Sequence, residues 1–371
     1  MTTLVIFGIT GDLSRRKLLP ALQAIVKAGR EDISIVGVSR RDVDVKDLLA
    51  DYPELIDYTS VYTMDLSVPE SYVDLKENLM TLTGGRRLYY LAVQPGAATD
   101  ITDHLGAAGL NTPDDAVLFE KPFGFDSESA EDMIRRTHKY YDEEQLYRID
   151  HYMAKEVARE IIRLRKNADG HHHHWSNKTV SRVEIVAHET IGVESRAVFY
   201  EQAGAIRDVI QGHLMQLLSL VLMRPPTSLE GLPAARREAL EQLLPLRRDD
   251  VVKAQYDGYR EEVGAPNSKT ETYAKLSLFS DDPAWAGVPF VLETGKRMPE
   301  KRTIVRIVYR DGSEDIFDES QIVYEQDTRL KDAYEHVLIA AIDGERAIFT
   351  TSEEVLASWR VIAGAVSYTH I

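Results

Sequence analysis

Short apolar segments alternate with helical patterns through the first 150 residues of the chain. The segments that predict strands are rich in β-branched, aliphatic and aromatic residues: TLVIFG, ISIVGVS, VYTMD, RLYYLAV, AVLFE and LYRID. Strands that are separated by helices usually pair in parallel, with both faces of the sheet covered. This alternation therefore predicts an α/β domain with a doubly wound parallel sheet over residues 1–150.

The pattern changes after Asp150. Helical periodicity covers Lys155–Arg165 and Ala205–Met223, and a further helix between loops is expected within Pro225–Asp250. Longer alternating runs predict strands of an antiparallel sheet: RVEIVAHE, ETYAKLSLF, VPFVLET and TIVRIVYRD. We therefore expect a second, α+β domain with a mainly antiparallel sheet over residues 151–371, in keeping with a length of 371 residues.

Composition excludes several classes of protein. The net charge of −16 argues against a nucleic-acid partner, because phosphate backbones bind to basic surfaces. The absence of cysteine excludes disulfides and thiol catalysis. The N-terminal MTTLVIFGITGD lacks a basic leader region, and no apolar run is long enough to span a bilayer. These features predict a cytoplasmic enzyme with no membrane partner.

A glycine turn joins the first strand to the first helix in FGITGDLSRRKL, with Gly8 and Gly11. Such a turn lets backbone N–H groups approach a pyrophosphate, although a glycine there also serves the turn alone. The second strand ends in Arg40 and Arg41, where a carboxylate is typical of NAD binding and an arginine of NADP binding. The pair favours NADP, and the alternative is a solvated pair beside Asp42.

Acidic, basic and aromatic side chains are crowded together in YRIDHYMAKE, at the end of the sixth predicted strand. His151, Tyr152 and Lys155 have a spacing that places three polar tips on one helical face. Together they offer hydrogen-bond donors to a single anion, and a phosphate is the favoured candidate. The alternative makes Lys155 a surface residue and His151 a helix cap.

A second histidine, His213, lies on the apolar stripe of GAIRDVIQGHLMQLLSLVLM. It is either a core residue or a catalytic group. The polar Asp208 and Gln211 in the same turns argue against a plain core position, and the residues alone leave both alternatives open. TGKRMPEKR supplies a further basic patch, and the Lys121–Pro122 bond in EKPFG is a candidate for the cis form.

Four consecutive histidines, His171–His174, suggest a metal site at first sight. The flanking residues are loop-like and we expect no acidic partner beside the run, so we expect a solvated loop and predict no metal site.

Taken together, these segments resemble the glucose-6-phosphate dehydrogenase family. The resemblance runs in order through nearly the whole chain, in GITGDLSRRKL, EKPFG, YRIDHYMAKE, HETIGVESRAVFYEQAGAIRDVIQGHLMQ, SKTETY, WAGVPF, TGKRMPEKR and DAYEHVL. It implies a Rossmann domain followed by a β+α domain, and oxidation of glucose 6-phosphate to 6-phosphogluconolactone with NADP or, alternatively, NAD. That reaction is the first step of the oxidative pentose phosphate pathway. The resemblance also implies a homo-oligomer, with a dimer expected.

The resemblance assigns roles residue by residue. His213 is the implied general base toward the C1 hydroxyl, and Asp150 the residue that pairs with it and orients it. The implied phosphate ligands are His151, Tyr152, Lys155 and Lys301. The implied contacts to sugar hydroxyls are Lys121, Glu189, Asp208 and Lys296. The implied coenzyme contacts are Gly8, Thr10, Gly11, Asp12, Leu13, Arg40 and Lys121.

This chain departs from the family pattern in length. Between TIVRIVYRD and DAYEHVL the family carries a long sheet-forming region that usually forms the dimer, and here only about twenty residues near 310–331 replace it. Two other functions fit parts of the sequence. One is a dehydrogenase of unphosphorylated sugars of the glucose–fructose oxidoreductase type, and the other is a shortened, non-catalytic regulatory relative.

Overall fold

The computed structural model describes residues 1–82, 85–321 and 332–366. Within them the chain forms two compact units, each made of separate segments. The first unit contains Met1–Phe123, Glu131–His151 and residues 332–352. The second contains Gly124–Ala130, residues 152–321 and residues 353–366. The predicted domains, 1–150 and 151–371, were contiguous. The units differ from them because the chain returns to the first unit near its end.

The described residues form thirteen strands. In chain order they are β1 Thr2–Phe7, β2 Ile33–Ser39, β3 Thr59–Thr63, β4 Arg86–Leu91, β5 Ala116–Phe119, β6 Leu146–Ile149, β7 Val180–His188, β8 Val251–Ala254, β9 Tyr273–Leu278, β10 Phe290–Gly295, β11 Arg302–Tyr309, β12 Glu314–Asp318 and β13 Phe349–Thr350. Each strand that the sequence predicts is present, with ends that differ by a few residues.

The α-helices cover Leu19–Lys27, Val45–Leu48, Glu70–Thr81, Pro95–Ala107, Ser127–Thr137, Glu156–Lys166, Ala197–Ala205, Met215–Leu222, Leu232–Glu241, Tyr259–Val263, Ala333–Asp343 and Ser352–Val366. Two segments are wound more widely, as π-helix: Ser14–Leu18 and Ile206–Leu214. In the part of the chain that the structure describes, no helix is both long and apolar enough to cross a bilayer.

The sheet of the first unit has the strand order β13-β6-β5-β4-β1-β2-β3. All neighbours pair in parallel except β13, which runs antiparallel to β6. This arrangement confirms the predicted Rossmann sheet. The order reverses between β1 and β4, and ligands of such folds bind beyond the carboxyl ends of the strands at this point.

The second unit contains a six-stranded sheet with the order β12-β11-β7-β10-β9-β8. Only β7 and β10 pair in parallel among its described strands, so the sheet is mainly antiparallel, as predicted. Along β7, Val183, Ile185 and Ala187 are buried while the residues between them are more exposed. That alternation is typical of a sheet with one face on the core.

The predicted helix Ala205–Met223 is not one regular α-helix. Gly204, with φ +65° and ψ 177°, has a non-helical backbone conformation. The π-helical Ile206–Leu214 lies between the α-helices Ala197–Ala205 and Met215–Leu222. The apolar periodicity of the sequence predicted helical winding correctly but does not distinguish α from π winding, because both place the apolar side chains on one side.

Candidate active site

The glycine turn after β1 has a conformation that requires glycine. Gly8 has φ +84°, and a Cβ at this position would lie 2.4 Å from the carbonyl oxygen of Ala92. The turn is closed by the Gly11 N–H, which donates to the Gly8 carbonyl at 2.8 Å, and by the Ser14 hydroxyl, which donates to the same oxygen at 2.9 Å. The backbone is therefore free of side-chain bulk where a dinucleotide pyrophosphate approaches in this fold.

A cavity rich in arginine opens beside this turn. Its volume is about 360 Å³, and its lining consists of Thr10, Arg15, Ser39, Arg40, Arg41 and Val43. Three guanidinium groups and two hydroxyls, without a carboxylate among these lining residues, form a donor set that suits a phosphate monoester. The residues present therefore fit the 2′-phosphate of NADP. Of the other predicted coenzyme contacts, Asp12 is exposed and pairs with Arg16 at 3.0 Å.

A hydrogen-bonded cluster lies where β4, β5 and β6 end. Glu120 accepts a hydrogen bond from the Tyr90 hydroxyl at 2.5 Å and is also bonded by Tyr334. Burial raises the pKa of the Glu120 carboxyl to about 7, against the opposing effect of the Tyr90 hydrogen bond. The next residue, Lys121, forms the cis peptide bond with Pro122 that the sequence allowed.

Two predicted site residues follow β6 in the same unit. Asp150 is buried, with 2% of its surface exposed, and its charge helps to raise the pKa of Glu120. The ring of His151 stacks on Tyr334 at a centroid distance of 6.4 Å. Sequence reasoning assigned no role to Glu120 or Tyr334, although both lie in the motifs EKPFG and DAYEHVL.

In the second unit, His213 is buried and stacks on Tyr152, with ring centroids 4.3 Å apart and planes inclined by 12°. The ammonium group of Lys155 lies 3.4 Å from the centroid of the same Tyr152 ring. The structure therefore brings together the predicted base and two predicted phosphate ligands. Lys155 also precedes the first residue of the helix Glu156–Lys166, whose N-terminus favours negative charge.

Glu271 fixes the start of the segment that carries His213. Its carboxylate accepts a hydrogen bond from the Ile206 N–H at 3.1 Å, and its carbonyl accepts one from the Ala205 N–H at 2.9 Å. A Cβ on Gly204 would lie 2.5 Å from the same carboxylate, so only glycine leaves room for this contact. Sequence reasoning missed Glu271. Its position in the SKTETY motif was the signal in the sequence that could have pointed to it.

Three of the predicted sugar contacts gather around the buried Tyr200. The Lys296 ammonium donates to Glu189 at 2.5 Å and lies 5.2 Å from the centroid of the Tyr200 ring. Burial raises the pKa of the Tyr200 hydroxyl, and the negative charges of Asp208 and Glu189 add to the effect. Asp208 also accepts a hydrogen bond from Arg196 at 3.2 Å. Sequence reasoning did not identify Tyr200 or Arg196 as part of this group.

The remaining predicted residue, Lys301, lies directly before β11 in the second unit and is exposed. Its convergence with Lys155 on one phosphate stays a prediction. The predicted pairing of Asp150 with His213 joins residues of different units and also stays a prediction.

The matching domain models and the sequence relatives agree on one family. Residues 5–160 match the model of the glucose-6-phosphate dehydrogenase NAD-binding domain, and residues 162–330 match that of its C-terminal domain. A glucose-6-phosphate 1-dehydrogenase of Chlamydia muridarum (strain MoPn / Nigg) is 31% identical over 97% of this chain and 89% of that protein. One of Bacillus subtilis (strain 168) is 35% identical over 83% of this chain and 71% of that protein.

A solved structure, described as glucose-6-phosphate dehydrogenase in complex with its substrate glucose-6-phosphate, superimposes with a TM-score of 0.87. It is 25% identical in sequence, and the match covers 99% of this chain and 91% of that chain. The Chlamydia alignment runs over 449 positions, more than the 371 residues present here, so that relative carries segments that this chain lacks. The two domain models, the relatives and the shared architecture establish that this chain belongs to the glucose-6-phosphate dehydrogenase family.

Proposed function

We propose that this protein oxidises glucose 6-phosphate at C1 with NADP, yielding 6-phosphogluconolactone and NADPH. The observation that carries the proposal is the contact between His213, Tyr152 and Lys155. A buried imidazole is a suitable proton acceptor, and a cation over the same Tyr152 ring suits a phosphorylated substrate.

In this proposal His213 takes the proton of the C1 hydroxyl while the hydride leaves C1, so that C1 becomes the lactone carbonyl. Bound NADP supplies the hydride acceptor. Asp150 would hold the imidazole in the orientation and tautomer that the step needs and would stabilise the imidazolium that forms. Its burial keeps bulk water from competing for the hydrogen bond that would orient the imidazole.

The sugar is held at both ends. His151, Tyr152, Lys155 and Lys301 would bind the phosphate, and Lys121, Glu189, Asp208 and Lys296 would bind hydroxyls. The Lys296–Glu189 contact supports this assignment, because a paired cation and carboxylate offer both a donor and an acceptor to adjacent hydroxyls.

The cavity lined by Arg15, Arg40 and Arg41 supports NADP over NAD. Gly8, Thr10, Gly11, Asp12, Leu13 and Lys121 would contact the rest of the coenzyme. The cytoplasmic location, the dimer and the absence of nucleic-acid and membrane partners stay predictions from the sequence.

The test is an assay of the purified full chain that follows NADPH or NADH formation. Glucose 6-phosphate with NADP should give the highest kcat/KM of the four combinations of the two sugars and two coenzymes. A higher kcat/KM for unphosphorylated glucose would favour the sugar-dehydrogenase alternative, and no turnover of any sugar would favour the non-catalytic one.

A further inference from the structure

The histidine run has an acidic partner that the sequence did not reveal. Asp315, on β12, lies 144 positions after His171 in the chain. One of its carboxylate oxygens, Oδ2, is 3.3 Å from Nε2 of His171 and 3.2 Å from Nε2 of His172. The expectation that the run lacks an acidic neighbour is therefore wrong, because the contact arises from the fold of the second unit and not from nearby sequence.

These distances suit a metal ion. One ligand atom from each of His171, His172 and Asp315 lies within 4.8 Å of the other two. Zinc bonds to imidazole nitrogen and carboxylate oxygen are about 2.0–2.2 Å long, so a tetrahedral site separates its ligand atoms by about 3.3–3.6 Å. The two contacts between Asp315 and the histidines are already close to that separation.

Neighbouring side chains hold two of these ligands in place. The His172 ring packs edge-on against Trp175, with centroids 5.4 Å apart, and against Phe317 at 6.2 Å. The Tyr309 hydroxyl donates to Asp315 at 2.5 Å and accepts a hydrogen bond from the Trp175 indole at 2.8 Å. Outer partners of this kind orient ligands in metal sites.

The other two histidines of the run do not belong to this group. The ring of His173 donates from Nδ1 to the carbonyl of Arg165 at 2.8 Å, and so is directed toward the backbone. His174 is exposed and is not among the clustered ligand atoms. The fold therefore places His171 and His172 beside Asp315 and leaves His173 and His174 outside the cluster.

We propose that His171, His172 and Asp315 bind one divalent transition-metal ion of the zinc class. Two imidazoles and one carboxylate suit ions of intermediate softness, and three protein ligands leave a fourth position for water. The ion would tie the turn after the helix Glu156–Lys166 to β12. An ion that binds only the folded chain stabilises it in proportion to the logarithm of its concentration.

The test uses the full chain stripped with chelator and titrated with zinc chloride in a calorimeter. We expect one ion per chain, with affinity weaker by about tenfold or more in His171→Ala and in Asp315→Asn. The matched control, His174→Ala, removes an imidazole from the same run and should change the affinity less than twofold. The melting temperature should rise with zinc in the wild type and the control, and at the same zinc concentration it should rise less in Asp315→Asn.

Three results would overturn the proposal. Equal weakening in His174→Ala and His171→Ala would mean that adjacent imidazoles bind the ion without a built site. Unchanged affinity in Asp315→Asn would exclude the carboxylate, and no one-to-one binding in the wild type would exclude the site. Because the His171 side chain is 64% exposed, its removal costs little packing. Circular dichroism and unchanged turnover of glucose 6-phosphate verify that each variant is folded.

Discussion

The imidazole of His213 lies flat against the ring of Tyr152, 4.3 Å away between centroids. A stacked neighbour restricts rotation of the imidazole about its side-chain bonds, and the burial of His213 excludes bulk water from most of its surface. A proton acceptor that is held in one orientation loses little freedom when the substrate arrives. The same contact places the predicted base beside a predicted phosphate ligand within one compact unit.

Replacing His213 by Asn should lower kcat by about 10²–10⁴, the usual contribution of a positioned general base. The KM for glucose 6-phosphate should change much less, because the ring is assigned to the reacting hydroxyl and not to the phosphate. Steady-state kinetics measures both values. The control, His174→Asn, alters an exposed histidine of the same unit and should keep nearly full activity. A His213→Asn enzyme that retains more than a tenth of the wild-type kcat would remove this residue from the role.

Lys155→Ala should lower kcat/KM for glucose 6-phosphate by roughly tenfold to a hundredfold, since a charge-assisted hydrogen bond to phosphate contributes about 1.5–3 kcal/mol. Unphosphorylated glucose should lose little, so the ratio of the two kcat/KM values should shrink. Lys166→Ala removes an exposed lysine from the other end of the same helix and should leave the ratio unchanged. If Lys155→Ala also left it unchanged, Lys155 would not contact the phosphate.

The double replacement of Arg40 and Arg41 by Ala should raise the KM for NADP by about tenfold or more and leave that for NAD nearly unchanged. The reason is that only NADP carries the phosphate that the guanidinium groups of the cavity would bind. Initial rates with each coenzyme measure the effect, and Lys46→Ala is a control for the loss of an exposed positive charge in the same region. Equal losses with both coenzymes would indicate a fold defect, and no loss would indicate solvated arginines.

A fully buried ion pair should make the second unit sensitive to the loss of either partner. Arg236 donates to Glu354 at 2.7 Å, and both side chains are 0% exposed. Glu354→Gln leaves a buried guanidinium without its counter-charge, so we expect a loss of about 3–5 kcal/mol in the free energy of unfolding. The adjacent pair of Arg237 and Glu353 is partly exposed, and Glu353→Gln should cost about 0–1 kcal/mol. Urea denaturation measures both, and similar losses would contradict the prediction.

The raised pKa of Glu120 makes stability depend on pH. A carboxyl whose pKa is 4.5 in the unfolded chain and about 7 in the folded chain binds its proton more tightly when folded. Its contribution to stability is therefore complete below about pH 4.5 and is lost as the pH rises through 7. Glu120→Gln should flatten this fall in the free energy of unfolding. The variant should therefore gain stability relative to the wild type as the pH is raised from 5 to 8.

Urea denaturation across this pH range measures the effect, which we expect to be about 1–3 kcal/mol. The exposed Glu128, replaced by Gln, serves as the control for the loss of a carboxylate at the surface. Parallel curves for Glu120→Gln and wild type would show that Glu120 does not titrate in this range.

The sequence by itself predicted ten of the thirteen described strands, in their order along the chain. The predicted segment ISIVGVS coincides with β2, Ile33–Ser39, and the glycine turn after β1 has the left-handed Gly8 that such a turn requires. It also predicted the site residues His213, Tyr152 and Lys155, and the structure places the first and the last against the Tyr152 ring. These features depend on periodicity, on turn chemistry and on motifs, all of which are written in neighbouring residues.

Only the tertiary structure decided which distant side chains meet. Glu271 holds the start of the His213 segment from 65 positions away, and Arg236 and Glu354 are separated by 118 positions. Asp315 meets the histidine run across 144 positions. No local pattern encodes such contacts, because they depend on how whole strands and helices pack. The same holds for the π winding of Ile206–Leu214, whose apolar stripe fits more than one helical pitch.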